Sequence, residues 1–144
     1  MKKNAALAAY MNCVADEGLD LDRFVEHGAR LLAPAEMAGL TNGLFELQKK
    51  IASLKGEHPK LARQLEFLLN FYQANPPNLP DKVRKETIFA LLYAAKEMDL
   101  VPDEEPGVGY LDDAAVAESV LTRHAGVFEL HCDFHRMEWS ALKP

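Results

Sequence analysis

The chain has 144 residues, 49% of them apolar, with 22 acidic and 16 basic side chains for a formal charge of −6. That length suits one domain spanning 1–144, and the acidic balance excludes a sequence-independent nucleic-acid binder, which needs a surplus of Lys and Arg on one face. The two cysteines, Cys13 and Cys132, lie near opposite ends of the chain and form no C-x-x-C pair, which excludes a disulfide framework and predicts a cytoplasmic protein. Met1-Lys2-Lys3 has the charge of a signal-peptide start, but Asn12, Asp16 and Glu17 interrupt the apolar stretch that would have to follow. No apolar run approaches the roughly 18 to 20 residues of a membrane span, so no membrane partner is expected.

In chain order, Leu7, Met11 and Val14 predict a short first helix closed by Gly18. Asp20 is placed to cap a second, which carries Leu21, Phe24, Val25, Leu31 and Leu32. Pro34 suits the first turn of a third, where Met37, Leu40, Leu44, Leu47, Ile51 and Leu54 recur at heptad spacing. Such a seam can line a bundle or join copies of the chain into a homo-oligomer. Gly39 and Gly43, beside it, either permit a close helix crossing or shorten the helix. Gly56 ends that element and His58-Pro59 opens the next. There Leu61, Leu65, Leu68, Leu69 and Tyr72 form one face, and Phe67 and Phe71 widen it to the arc of a central, largely buried helix.

Residues 74–80 hold three prolines and are the strongest break in the chain. Ile88, Leu91, Leu92 and Ala95 then make a stripe that stops near Asp99. From Leu111 or Asp112 one long helix is predicted to about Met137, with Val116, Val120, Val127, Leu130, Phe134 and Met137 on its inner face. Lys49-Lys50 and the cluster Lys82/Arg84/Lys85 read as solvated helix faces, and Trp139 as a cover over the bundle's edge. The fold class is therefore all-α, a compact helical bundle of five to seven helices with a Pro/Gly/Asp-rich helix–turn–helix in its C-terminal half.

That turn is the distinctive stretch. Asp99, Leu100, Val101, Pro102 and Asp103 are followed in register by Pro106, Gly109, Asp112 and Asp113, with Tyr93 upstream. Over roughly residues 88–120 this pattern resembles the YkvA-like family, a bacterial family of unknown function, and implies a helical hairpin at 81–137. Two departures stand out: Glu97 where many relatives have proline, and Glu104 and Glu105 where they have apolar residues. Adjacent acids are costly against lipid, so the membrane association often seen in that family is not carried over. Asp99, Asp103, Asp112 and Asp113 admit two readings. Converging, they would offer a hard divalent cation several oxygen ligands. Structurally, Asp112 or Asp113 would cap the last helix while Asp99 and Asp103 accept hydrogen bonds from turn N–H groups.

A second candidate is a histidine face. His124, His131 and His135 are spaced to share one side of a helix, and His131/His135 is the i, i+4 pair that can chelate zinc or nickel. The four residues after His131 read Cys-Asp-Phe-His, so no H-E-x-x-H motif and no metalloprotease base is present. The same three imidazoles equally suit a half-buried flank of the apolar stripe, or pH sensing. Ser119 and His124 are five residues apart on one predicted helix and make no nucleophile–base pair, and Gly107-Val-Gly109 lacks the third glycine and the preceding strand of a dinucleotide site. The sequence therefore predicts a non-catalytic interaction or scaffold module that binds a protein partner or its own copies. The alternative is a divalent-metal-binding protein or metal-dependent hydrolase, with the cation as its cofactor.

Overall fold

A computed structural model describes residues 21–32, 40–41, 43–95 and 111–143. Among the described residues there are six α-helices and no strand: α1 (Leu21–Arg30), α2 (Leu44–Glu57), α3 (Pro59–Ala74), α4 (Asp81–Ala94), α5 (Leu111–Arg123) and α6 (Ala125–Phe134), followed by a 3₁₀ turn at Trp139–Ala141. None of them is long and apolar enough to cross a membrane. The predicted first helix, and Asp20 as cap of the second, lie outside the described residues.

Local chemistry sets the boundaries. Gly43, at φ −91° and ψ 1°, stands as N-cap of α2 and so shortens the predicted heptad helix. Pro59 occupies the first turn of α3, where a missing N–H costs nothing, and Asn75 ends α3 in the left-handed region at φ 44°. The end of α6 is also left-handed. Arg136 sits at φ 57°, with the Met137 N–H donating to the Cys132 carbonyl at 2.8 Å and the Arg136 N–H to that of Asp133 at 3.3 Å. These paired bonds are a Schellman stop, usually built on glycine, and a side chain there costs about 1–2 kcal/mol.

The core gathers around α4, which packs against α1, α3 and α5. Every residue from Glu86 to Ala94 is buried, so this helix is enclosed on nearly all sides. Phe24 of α1 meets Phe89 and Tyr93 edge-on, at ring separations of 5.6 and 6.0 Å. A second aromatic group joins α3 to α6: Phe128 stands 5.6 Å from Phe67 and 4.9 Å from Phe71. Edge-to-face contacts of this kind add about 0.5–1.5 kcal/mol each beyond area burial. Gln64, itself buried, donates to the Leu142 carbonyl at 2.9 Å and ties down the C-terminal turn.

The heptad seam is spent inside the chain. Leu40, Leu47, Ile51 and Leu54 are buried in the monomer's own core and Leu44 packs against it, while α2 lies on α3. Met37 lies outside the described residues. The described seam positions, Leu40 to Leu54, therefore face the chain's own core.

The predicted long C-terminal helix is two helices. His124, at φ −116° and ψ 28°, interrupts it, and the ladder restarts where the Val127 and Phe128 N–H groups both donate to the His124 carbonyl. Gly126 in the first turn of α6 lowers the cost of that break. The consequence is a change of face. In α6 the buried positions are Phe128 and Cys132, whereas Leu130 and Phe134 are 71% and 83% exposed and Met137 is exposed as well. These three were expected on the inner face. A helix restarted at residue 125 carries a different stripe inward from one that runs on unbroken.

Candidate functional site

The helices on either side of residues 96–110 are linked by an ion pair that the sequence reading missed. Lys50 of α2, taken as part of a solvated face, has a side chain only 8% exposed, with its Nζ 2.6 Å from Oδ2 of Asp113. The same ammonium donates to the Ala94 carbonyl at 2.5 Å. Ala94 ends α4 and Asp113 lies in the first turn of α5, so one cation serves the carbonyl end of the helix before residues 96–110 and an acid at the amino end of the helix after them. Both placements agree with the helix dipoles. Lys49, its neighbour, instead lies over the exposed ring of Phe45, 5.4 Å from the ring centre.

Asp113 lies within α5 and is paired with Lys50. Asp99, Asp103 and the side chain of Asp112 lie outside the described residues. Among the described residues no group of three or more His, Cys, Asp or Glu side chains is arranged to hold a metal ion.

A second polar cluster fills the crevice between α1, α4 and α5. Glu86, 1% exposed, accepts through Oε1 from the Arg123 guanidinium and lies 3.0 Å from Nε2 of His124. Its other oxygen, Oε2, is buried without a hydrogen-bond partner among the described residues. Burial alone would raise the Glu86 pKa, but the hydrogen bonds and charges of His124 and Arg123 outweigh it and hold the carboxyl below its ordinary value. Arg123 also donates through Nε to Ser119 Oγ at 3.2 Å, and Ser119 donates in turn to Asp22 at 2.6 Å. At the rim Lys82 donates to Glu26 at 2.9 Å, and chiefly through that bond lowers the Glu26 pKa. Ser119 is thus held on both sides, donating to the Asp22 carboxylate and accepting from Arg123. The cluster has the chemistry of a clasp between helices.

The histidine face does not hold together. His124 lies in the break before α6 and turns to Glu86. His131 and His135 stay together, ring centres 4.3 Å apart, and His131 packs edge-on to Phe71 at 4.8 Å. Burial, and then the charge of His135, lower the His131 pKa, so its ring is neutral at pH 7. Cys132 points into the core. Burial, and then Asp133 and Glu129, raise its pKa, which leaves a protonated, unreactive thiol.

Beside this pair runs an apolar groove of about 610 Å³ between the 75–80 loop and α6, lined by Phe71, Leu79, Val127, Leu130, His131 and Phe134. Nothing in the sequence reading pointed to it, because Leu130 and Phe134 were assigned to the core.

Residues 84–118, about a quarter of the chain, match the model of a family described as "Protein of unknown function (DUF1232)". The match takes in most of α4 and the first part of α5, the two arms of the acidic turn. No curated protein and no solved structure matches the chain. Among the described residues of the matched segment, the buried carboxylates Glu86 and Asp113 are ion-paired from outside it, by Arg123 and by Lys50.

Proposed function

We propose that this chain is a cytoplasmic, non-catalytic interaction module whose YkvA-like hairpin is part of the bundle that presents a docking face. The observation that carries this reading is the apolar ridge of Leu130 and Phe134, 71% and 83% exposed, at the edge of the groove. Large apolar side chains grouped beside a groove and flanked by charged residues mark an interaction surface more often than a catalytic one. The polar clusters speak the same way, since Lys50 is ion-paired with Asp113 and Arg123 with Glu86 inside the bundle.

The alternative is a divalent cation, held by the acidic turn or by His131 and His135. The pairing of Asp113 with Lys50 and the separation of His124 from the other histidines weigh against it.

The test is site-specific photo-crosslinking in cells, with a photoreactive phenylalanine at position 134 and, as control, at the exposed position 66 on α3. Discrete protein adducts from position 134, absent from position 66 and lost on Leu130→Asp, are expected. No adduct at 134, or the same adducts from both positions, would overturn the reading.

A further inference from the structure

We infer that the partner for this face is a second copy of the chain, joined through α6 across a two-fold axis. The inference rests on the interaction-module reading and names its partner. Three features of the face support it. First, the surface is self-complementary: it carries both a ridge, Leu130 and Phe134, and the groove beside it, which is what an isologous contact requires. Secondly, charges of both signs border the ridge. Glu129 and Asp133 are exposed acids one helical turn apart, Arg136 is an exposed base just past the helix end, and none of the three has an ion-pair partner among the described residues. Antiparallel pairing of two α6 helices about the level of Cys132 sets Leu130 against the partner's Phe134 twice over. It also carries Arg136 alongside the partner's Glu129 and Asp133. Thirdly, Arg136 holds a left-handed position, φ 57°, where glycine would be unstrained. A cation kept there fits a contact made by its side chain.

His131 lies at the centre of this face, and the charged groups around it are His135, Glu129, Asp133 and Arg136 on its own segment. Its neutral ring adds no charge to the apolar contact.

The test is analytical ultracentrifugation of the full chain over a wide concentration range at neutral pH. A monomer–dimer equilibrium is expected. Phe134→Asp should leave a folded monomer, with melting at low concentration unchanged because the ring makes little contact within the chain. Arg136→Glu should raise the dissociation constant by about tenfold or more, and combining it with Glu129→Lys and Asp133→Lys should restore at least part of that loss. Wild-type protein that is monomeric throughout would overturn the inference, as would a dimer indifferent to Phe134→Asp. A monomer whose Phe134→Asp variant melts lower than wild type would assign the groove to the chain's own residues, and also overturns it. Monomeric protein that still yields discrete adducts to another protein at position 134 would overturn the second copy while leaving the interaction-module reading standing.

Discussion

Lys50 and Asp113, 63 positions apart in sequence, meet at 2.6 Å with their side chains 8% and 0% exposed. A buried ion pair adds little net stability compared with a well-packed apolar pair, because desolvation offsets attraction. Removing one partner alone is costly, since the other charge stays buried. Lys50→Met should therefore destabilise by about 3–5 kcal/mol, and Lys50→Met with Asp113→Leu should recover most of that. Urea denaturation of the two single variants and the double variant at pH 7 reads the coupling directly. A loss below about 1 kcal/mol in Lys50→Met would mean that the pair is screened by water.

Two groups contribute to the pH dependence. The His131 pKa is lowered in the folded state, by burial first and His135 second, so the unfolded chain takes up the proton more readily. Stability should fall as the pH drops from about 6.5 toward the folded value and then level off. Glu86 is also lowered, because His124 and Arg123 outweigh its burial, and its contribution should be lost in a second fall beginning near the ordinary glutamate value of 4.5. Urea midpoints measured from pH 8 to pH 3 should show both steps. His131→Phe should flatten the upper one and Glu86→Gln the lower.

Gly28 and Gly56 should respond oppositely to alanine. A Cβ at Gly28 would stand 2.5 Å from Cε2 of Phe89, whose ring is fully buried against Phe24 and Tyr93. Gly28→Ala should cost about 1–3 kcal/mol despite its better helix propensity. At Gly56 the added carbon meets nothing within 4 Å, so the propensity gain of about 0.5–1 kcal/mol should appear in full. Thermal melts of the two variants decide the matter by sign.

Leu47 distinguishes an internal seam from an intermolecular one. It is fully buried, and Leu47→Ala should cost about 2–5 kcal/mol. The sedimentation of the remaining folded protein should not change. Dissociation of an assembly at unchanged monomer stability would return the heptad face to the surface.

Much of the bundle was legible because its signals are local. Pro59 at the first turn of α3, the prolines between Ala74 and Asp81, and the wide apolar arc of Leu61 to Phe71 each act within a few residues. The polar clusters were not legible. Glu86 lies in the run Arg84-Lys85-Glu86-Thr87, which reads as surface, and Lys50 looks like Lys49 until Asp113 arrives from elsewhere in the chain. The break at His124 also escaped notice, since Ala125-Gly126 is a weak interruption and apolar residues continue on both sides at helix-like spacing. That one break moved Leu130 and Phe134 from the inferred core to the surface and so hid the groove. Asp99 and Asp103 lie outside the described residues.

The placement of Lys50 also limits how the protein can be cut. An excised helical hairpin beginning at Asp81 would keep Asp113 and Glu86 and lose the ammonium that balances the first of them. It would also lose α1, which supplies Asp22 to the clasp and Phe24 to the rings of Phe89 and Tyr93. The hairpin would then either open to wet its carboxylate or hold a bare charge in hydrocarbon. The smallest autonomous unit must therefore reach back at least through α1, and fragments intended for expression or transplantation should be drawn accordingly.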